Sequence, residues 1–196
     1  MIHVSGNIPK KDIIKRVDAT NVKKTPGTST RRNQGGIATQ KLEKKVKQDF
    51  GGKMGVIKGH LKSQRFGGSG TNDKNLVPLT RSANARHRQY VEAPIQAELN
   101  KGNKVDYRIT AINTNRRPTD LIMGAKDHSK DFNGNFVRKI PEGIVCEWCV
   151  RGKNGKILKI ERKYIDNGFT APKDMGTDEF LRRDLKKTYG TDIEVH

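Results

Sequence analysis

Between Gly59 and Glu92 the sequence leaves few ways to fold. Met54 to Leu61 reads as a strand running into a turn, and Gly67-Gly68-Ser69-Gly70 is a loop suited to positive φ or close backbone approach. Leu76-Val77-Pro78-Leu79 is a second short extended segment, after which Thr80 or Ser82 can cap a helix reaching about Glu92. Ala83, His87, Val91 and Ile95 recur every four residues and form a stripe to be buried. Pro94 disfavours helical geometry at Ala93, which predicts a kink there, with the helix resuming to Asn100 and ending at Gly102. The pattern is strand, loop, strand, helix. The loop is long enough for a hairpin that folds the helix back under the first strand.

The flanks are read more coarsely. Residues 1–37, broken by Pro9, Pro26, Gly27, Gly35 and Gly36, form a basic and largely irregular arm, apart from a short strand or turn near Ile13–Val22. Ala38 to Phe50 suits a short helix, with Leu42 and Val46 on one side. Val105–Ile112, Leu121–Met123 and Val137–Ile140 carry strand alternation, and Ile144–Val150 and Ile157–Ile165 flank the hairpin turn Gly152-Lys153-Asn154-Gly155. A last helix over 177–190 is capped by Thr177, buries Leu181, Leu185 and Tyr189, and stops at Gly190. The domain expected is 38–196, with a core at about 50–125, a sheet-rich extension at 126–175 and the helix behind it.

Charge narrows the partners. With 40 Lys and Arg against 21 Asp and Glu, the net charge of +19 is the footprint of a polyanion binder. Residues 1–50 hold 12 basic and 4 acidic side chains. The leading quarter is thus about twice as positive per residue as the rest. A mobile basic arm is first a solvated one, and it also neutralises phosphate. No run approaches the roughly 18 apolar residues that cross a bilayer, so membrane insertion is not expected. Met1-Ile2-His3-Val4 begins no apolar signal stretch; export would use a non-classical route, unless the chain is a piece of a longer protein.

Cys146 and Cys149 form one Cys-x-x-Cys with no further zinc ligands at matching spacing. On a regular strand, residues three apart face opposite ways, which reads as two ordinary thiols. Trp148 and Tyr107 read as core residues.

The Gly59–Glu92 stretch also carries the chemistry. Phosphodiester hydrolysis needs an activated water, stabilised charge at phosphorus and a helped leaving oxygen. A histidine suits the first, since neutral imidazole titrates near 6.5. A divalent cation serves the others, and Mg²⁺ (or Mn²⁺) accepts an amide oxygen while keeping most of its waters. His60, leaving a strand, and Asn84, on the following helix, are the right residue types. Taken singly, each is weak: Gly-His is commonly a turn and a helical Asn is commonly solvated.

The spacing of the set goes further. Asn75-Leu76-Val77-Pro78, then Asn84, then Glu92, all behind Gly59-His60, resembles the DNA/RNA non-specific endonuclease family with its ββα-metal site. That family reads Asp-Arg-Gly-His, then Asn-x-x-Pro, a metal-binding Asn six residues past the Pro, and a Glu eight beyond it. The loop Phe66 to Gly70 and Arg116-Arg117-Pro118-Thr119 are similar to its toxin branch, which supplies effectors of bacterial contractile-injection and secretion systems. The likeness is good over about 50–125 and poor in the flanks.

The resemblance implies an α+β fold, a ββα-metal finger on a mixed or antiparallel sheet. It implies His60 as general base and Asn84 as the direct Mg²⁺ ligand. Glu92 stands behind the metal, hydrogen-bonding one of its waters, and Asn75 orients the loop beside His60. The Asp-Arg pair is here Ile57-Lys58: Lys58 keeps a positive charge without the fork of Arg, and Ile57 removes a carboxylate. Arg81, Arg88 and Lys62 are phosphate-binding candidates; Arg86 shares their helix, and a solvated face is the alternative for each. His87 has two readings, a packed histidine on the apolar stripe or a second metal contact, and the oxygen preference of Mg²⁺ weighs toward the first.

The function implied is a Mg²⁺-dependent, sugar-non-specific nuclease acting on DNA and RNA. It would be an injected or secreted toxin acting in the target cytoplasm, with an acidic immunity protein as a further partner. The rival is a non-catalytic, ribosomal-type nucleic-acid binder, which fits the charge equally and does not need the His60–Asn84–Glu92 register.

Overall fold

The computed structural model describes residues 8–24, 27, 56–113, 141–168 and 194–195. The segments expected at 38–50, 121–123, 137–140 and 177–190 lie outside these residues. Two sheets and a helix make up an α+β architecture. The larger sheet is mixed and has the order β1 (Ile13–Ala19), β4 (Lys104–Ile112), β5 (Gly143–Arg151), β6 (Ile157–Asp166), β7 (Glu194–Val195). Its neighbours are antiparallel except β6 and β7. The smaller sheet is the antiparallel hairpin β2 (Val56–His60) and β3 (Leu76–Thr80). The helix follows β3 directly, as α1 (Arg81–His87), a wide π turn (Arg88–Glu92) and α2 (Ala93–Asn100). The order is therefore ββα.

Alternation along β4 and β5 builds the core. Val105, Tyr107, Ile109 and Ala111 face Val150, Trp148, Cys146 and Ile144 in register, all buried. The Ala83–Val91–Ile95 stripe of the helix closes onto the same cluster, together with Leu61, Phe66, Val77 and Leu79. Phe66 meets Tyr107 edge-on at 6.3 Å, and the Tyr107 hydroxyl donates to the Leu61 carbonyl, so the loop after β2 is pinned to the large sheet. Cys146 and Cys149 are free and buried, and the unbroken pairing of β5 places them on opposite faces.

The other face of the sheet carries a row of directly opposed charges, Asp18, Arg108, Glu147 and Arg162, one per strand from β1 to β6. Arg162 Nε lies 3.0 Å from Glu147 Oε1 with both side chains almost wholly buried. Burial pushes the Glu147 carboxyl up, and Arg162 and Arg108 pull it back. Removing one partner of such a pair strands the other and costs about 3–5 kcal/mol.

The hairpin is held from both sides. Lys15 of β1 donates its ammonium to the carbonyls of Leu76, at 2.7 Å, and Asp73. At the other end, Asn167, just after β6, accepts from Thr80 N at 2.8 Å and donates to Pro78 O and Pro141 O at 3.1 and 2.8 Å. This clamp fixes where the helix begins. No helix among the described residues is long and apolar enough to cross a membrane.

One expectation is corrected. Ala93 keeps helical geometry (φ −65°, ψ −46°) despite Pro94, and the α-helix resumes from that residue. Pro94 would clash with a normally placed Tyr90 carbonyl and offers it no N–H. The chain widens one turn earlier instead, and Ala93 N–H reaches back five residues to Arg88 O.

Candidate active site

Gly59-His60 ends β2, opposite Val77 and Leu76. A β-carbon on Gly59 would come within 2.4 Å of the Leu79 side chain, so this strand position admits only glycine without repacking. The chain then turns through Leu61 to Gly70. Asn75 organises that loop: its Oδ1 accepts from Lys62 N at 2.7 Å, and its Nδ2 donates to Lys62 O and Ser69 O, both at 3.0 Å. Gly68 packs so closely on the Lys62 carbonyl that a β-carbon would sit 1.8 Å from the oxygen.

The helix starts where Thr80 Oγ1 accepts from Ala83 N at 3.0 Å. Arg86 does not reach toward solvent phosphate. It donates to Ser82 Oγ at 2.6 Å and to Asp166 O at 2.7 Å, docking the helix on the end of β6. Arg81 and Arg88 are exposed and, with Asn84, line a cleft of about 500 Å³ whose wall includes Gln89 and Ile57. Steps of three and four residues put Arg81, Asn84 and Arg88 on one stripe. Ile57 thus occupies the wall where the family pattern has a carboxylate, and no acidic residue lines this cleft among the described residues.

His60, Lys58, Lys62 and Glu92 do not line that cleft. His60 is half-buried and acts electrostatically on His87, which is wholly buried on the adjacent helical stripe. Burial, then the neighbouring His60, lowers His87 to about 4, so it is neutral near pH 7. Glu92 is largely buried. Desolvation raises its carboxyl, against a hydrogen bond from Ser63 and the positive charges of Arg65 and Arg88. Arg88 thus lines the cleft beside Asn84 and also acts electrostatically on Glu92.

Ser63 and Arg65 were not singled out in the sequence. The one available signal was a serine and an arginine between the histidine and the glycine loop. Asn167 gave no signal, because its partners Thr80 and Pro78 are 87 and 89 positions earlier and Pro141 is 26 earlier.

Among the described residues no three His, Cys, Asp or Glu side chains gather as a metal cage. Asn84 instead offers a single neutral oxygen in an open, arginine-flanked cleft. That suits Mg²⁺, which retains most of its waters and takes further oxygens from a phosphate.

A family model described as DNA/RNA non-specific endonuclease matches residues 3–129, more than half of the chain. No curated protein matches. A solved structure titled "extracellular nuclease" superposes over 87% of this chain and 85% of its own, at 14% identity and a TM-score of 0.43.

Proposed function

The chain belongs to the DNA/RNA non-specific endonuclease family and is therefore a hydrolase of phosphodiester bonds; on that premise we propose that it is a Mg²⁺-dependent nuclease that cuts DNA and RNA to 5′-phosphate and 3′-hydroxyl ends. The observation that carries the reading is Asn84 set between Arg81 and Arg88 in one cleft, on a helix packed behind the strand that ends in His60. A binding protein has no need of that arrangement, and the family is enzymatic.

In this mechanism Arg81 and Arg88 hold the phosphate. Their contacts carry no base information, so sequence preference is low. His60 takes the proton of the attacking water. Asn84 Oδ1 would hold the divalent cation, which supplies charge stabilisation at phosphorus and on the leaving 3′-oxygen. Glu92, anchored by Ser63, orients water on the far side of the site, and Lys58 adds positive charge along β2. The 2′-hydroxyl plays no part, which is why both sugars serve.

The toxin reading, with delivery by a secretion or injection machine and action in a target cell, rests on the Phe66–Gly70 loop and on Arg116-Arg117-Pro118-Thr119. The net charge of +19 favours an acidic immunity protein as its antagonist. The nuclease reading is tested by incubating the protein with plasmid and total RNA, with Mg²⁺ or EDTA, and end-labelling the products. Both substrates should be cut only with the metal, leaving ends that a ligase rejoins. Intact substrates that merely shift on a gel would return the protein to the binding class.

A further inference from the structure

His87 is wholly buried beside Ala83 and Val91, yet neither of its ring nitrogens has a hydrogen-bond partner among the described residues. A leucine would fill the stripe without leaving polar atoms in the core, a cost of about 1–3 kcal/mol. Packing alone does not account for the imidazole. Its Nδ1 stands 3.7 Å from Glu92 Oε1, about half an ångström beyond hydrogen-bond range.

That approach depends on the backbone. In a regular α-helix, positions five apart are separated by about 140° of rotation and do not meet. Here Arg88–Glu92 form a π turn, closed by Ala93 N–H on Arg88 O. The wider turn carries Glu92 round until it faces His87. Such turns recur at functional sites, and the Pro94 that produces this one lies two residues beyond Glu92.

We infer that His87 is a positioning residue, donating Nδ1–H to the Glu92 carboxylate and fixing the direction in which that carboxylate faces the site. This rests on the role given to Glu92 above. Ser63 supplies one donor to Glu92, and a carboxylate held at one point can swivel. A second donor from the helix side prevents this. Arg65 and Arg88 balance the charge from the solvent side, and His60 and Glu92 are the titratable groups facing the imidazole. His87 is neutral near pH 7, so it has one proton to place, and Nδ1 is where Glu92 can accept it.

The test compares the full-length wild type with His87→Leu, His87→Asn, Glu92→Gln and the double variant His87→Leu/Glu92→Gln. His87→Leu should fold with an unchanged or higher Tm and lose about 10–100-fold in kcat at constant KM for nucleic acid. His87→Asn, whose amide N–H can replace Nδ1–H, should recover most of that loss. His87→Leu should add little to Glu92→Gln. Separately, ¹⁵N NMR should find the His87 proton on Nδ1, with a resonance that moves in Glu92→Gln. Wild-type kcat in His87→Leu, a loss additive with that of Glu92→Gln, or a proton on Nε2 indifferent to Glu92 would each overturn the inference. Because the NMR readout does not need turnover, a wild type that fails to cut while its His87 signal follows Glu92 overturns the nuclease reading and supports the pairing.

Discussion

Asn75 grips Lys62 at both ends of one peptide-like frame, accepting from its N–H at 2.7 Å and donating to its carbonyl at 3.0 Å. Lys62 is two residues past His60, so this bond pair sets where the chain goes after His60 ends β2. Asn75→Ala leaves the half-buried Lys62 and Ser69 backbone groups short of partners. The expected outcome is a loss of about 10–100-fold in kcat with a stability cost of about 2 kcal/mol. Steady-state kinetics beside urea unfolding would check it; a stability loss with untouched kcat would divorce the loop from catalysis.

Asn167 does for the helix what Asn75 does for the loop. Its side chain bonds Thr80 N, Pro78 O and Pro141 O at the buried corner where β3 becomes α1. Asn167→Ala should cost about 2–4 kcal/mol in denaturant unfolding, since Thr80 N–H loses its acceptor inside the protein. A change under 1 kcal/mol would mean that this corner is not a clamp.

Ile57 lines the same cleft as Asn84 and offers no oxygen to a metal. Ile57→Asp adds a charged oxygen donor on that wall, and should lower the Mg²⁺ concentration giving half-maximal cleavage by about tenfold. Titrating Mg²⁺ against plasmid nicking reads this directly. An identical curve for both proteins would place the metal away from Ile57.

Acid should weaken the fold through His87. Its folded pKa, about 4, lies below the ordinary 6.5. A depressed histidine therefore contributes its full stabilisation above pH 6.5 and loses it as pH falls through about 4, because the unfolded chain takes up the proton first. The acid-induced loss is about 3 kcal/mol, a pH-dependent penalty separate from the cost of burying the neutral imidazole. Urea midpoints of wild type and His87→Leu should thus diverge between pH 7 and pH 4, the variant losing less. Parallel curves would show that His87 is not buried neutral.

The ββα unit was legible because its signals are local: Gly59-His60, the glycine loop, Thr80 as cap, and a four-residue stripe that is buried throughout. The opposite placement of Cys146 and Cys149 followed from strand geometry alone. His87 facing Glu92 was not legible, because a spacing of five is no contact in an α-helix and the π turn that makes it one was read as a kink at Ala93. Arg86 looked like its neighbours Arg81 and Arg88, and only the approach of β6 shows that it is a docking residue. The Asp18–Arg108–Glu147–Arg162 row needed the strand register, which sequence patterning does not specify between distant segments.

The proposed role of His60, activating the water in a metal-dependent phosphodiester cleavage, is open to a direct measurement: His60→Ala, assayed with Mg²⁺ on supercoiled plasmid in parallel with a gel shift in EDTA. The variant should bind DNA like the wild type while nicking falls by at least about 100-fold. Nicking at the wild-type rate would contradict it.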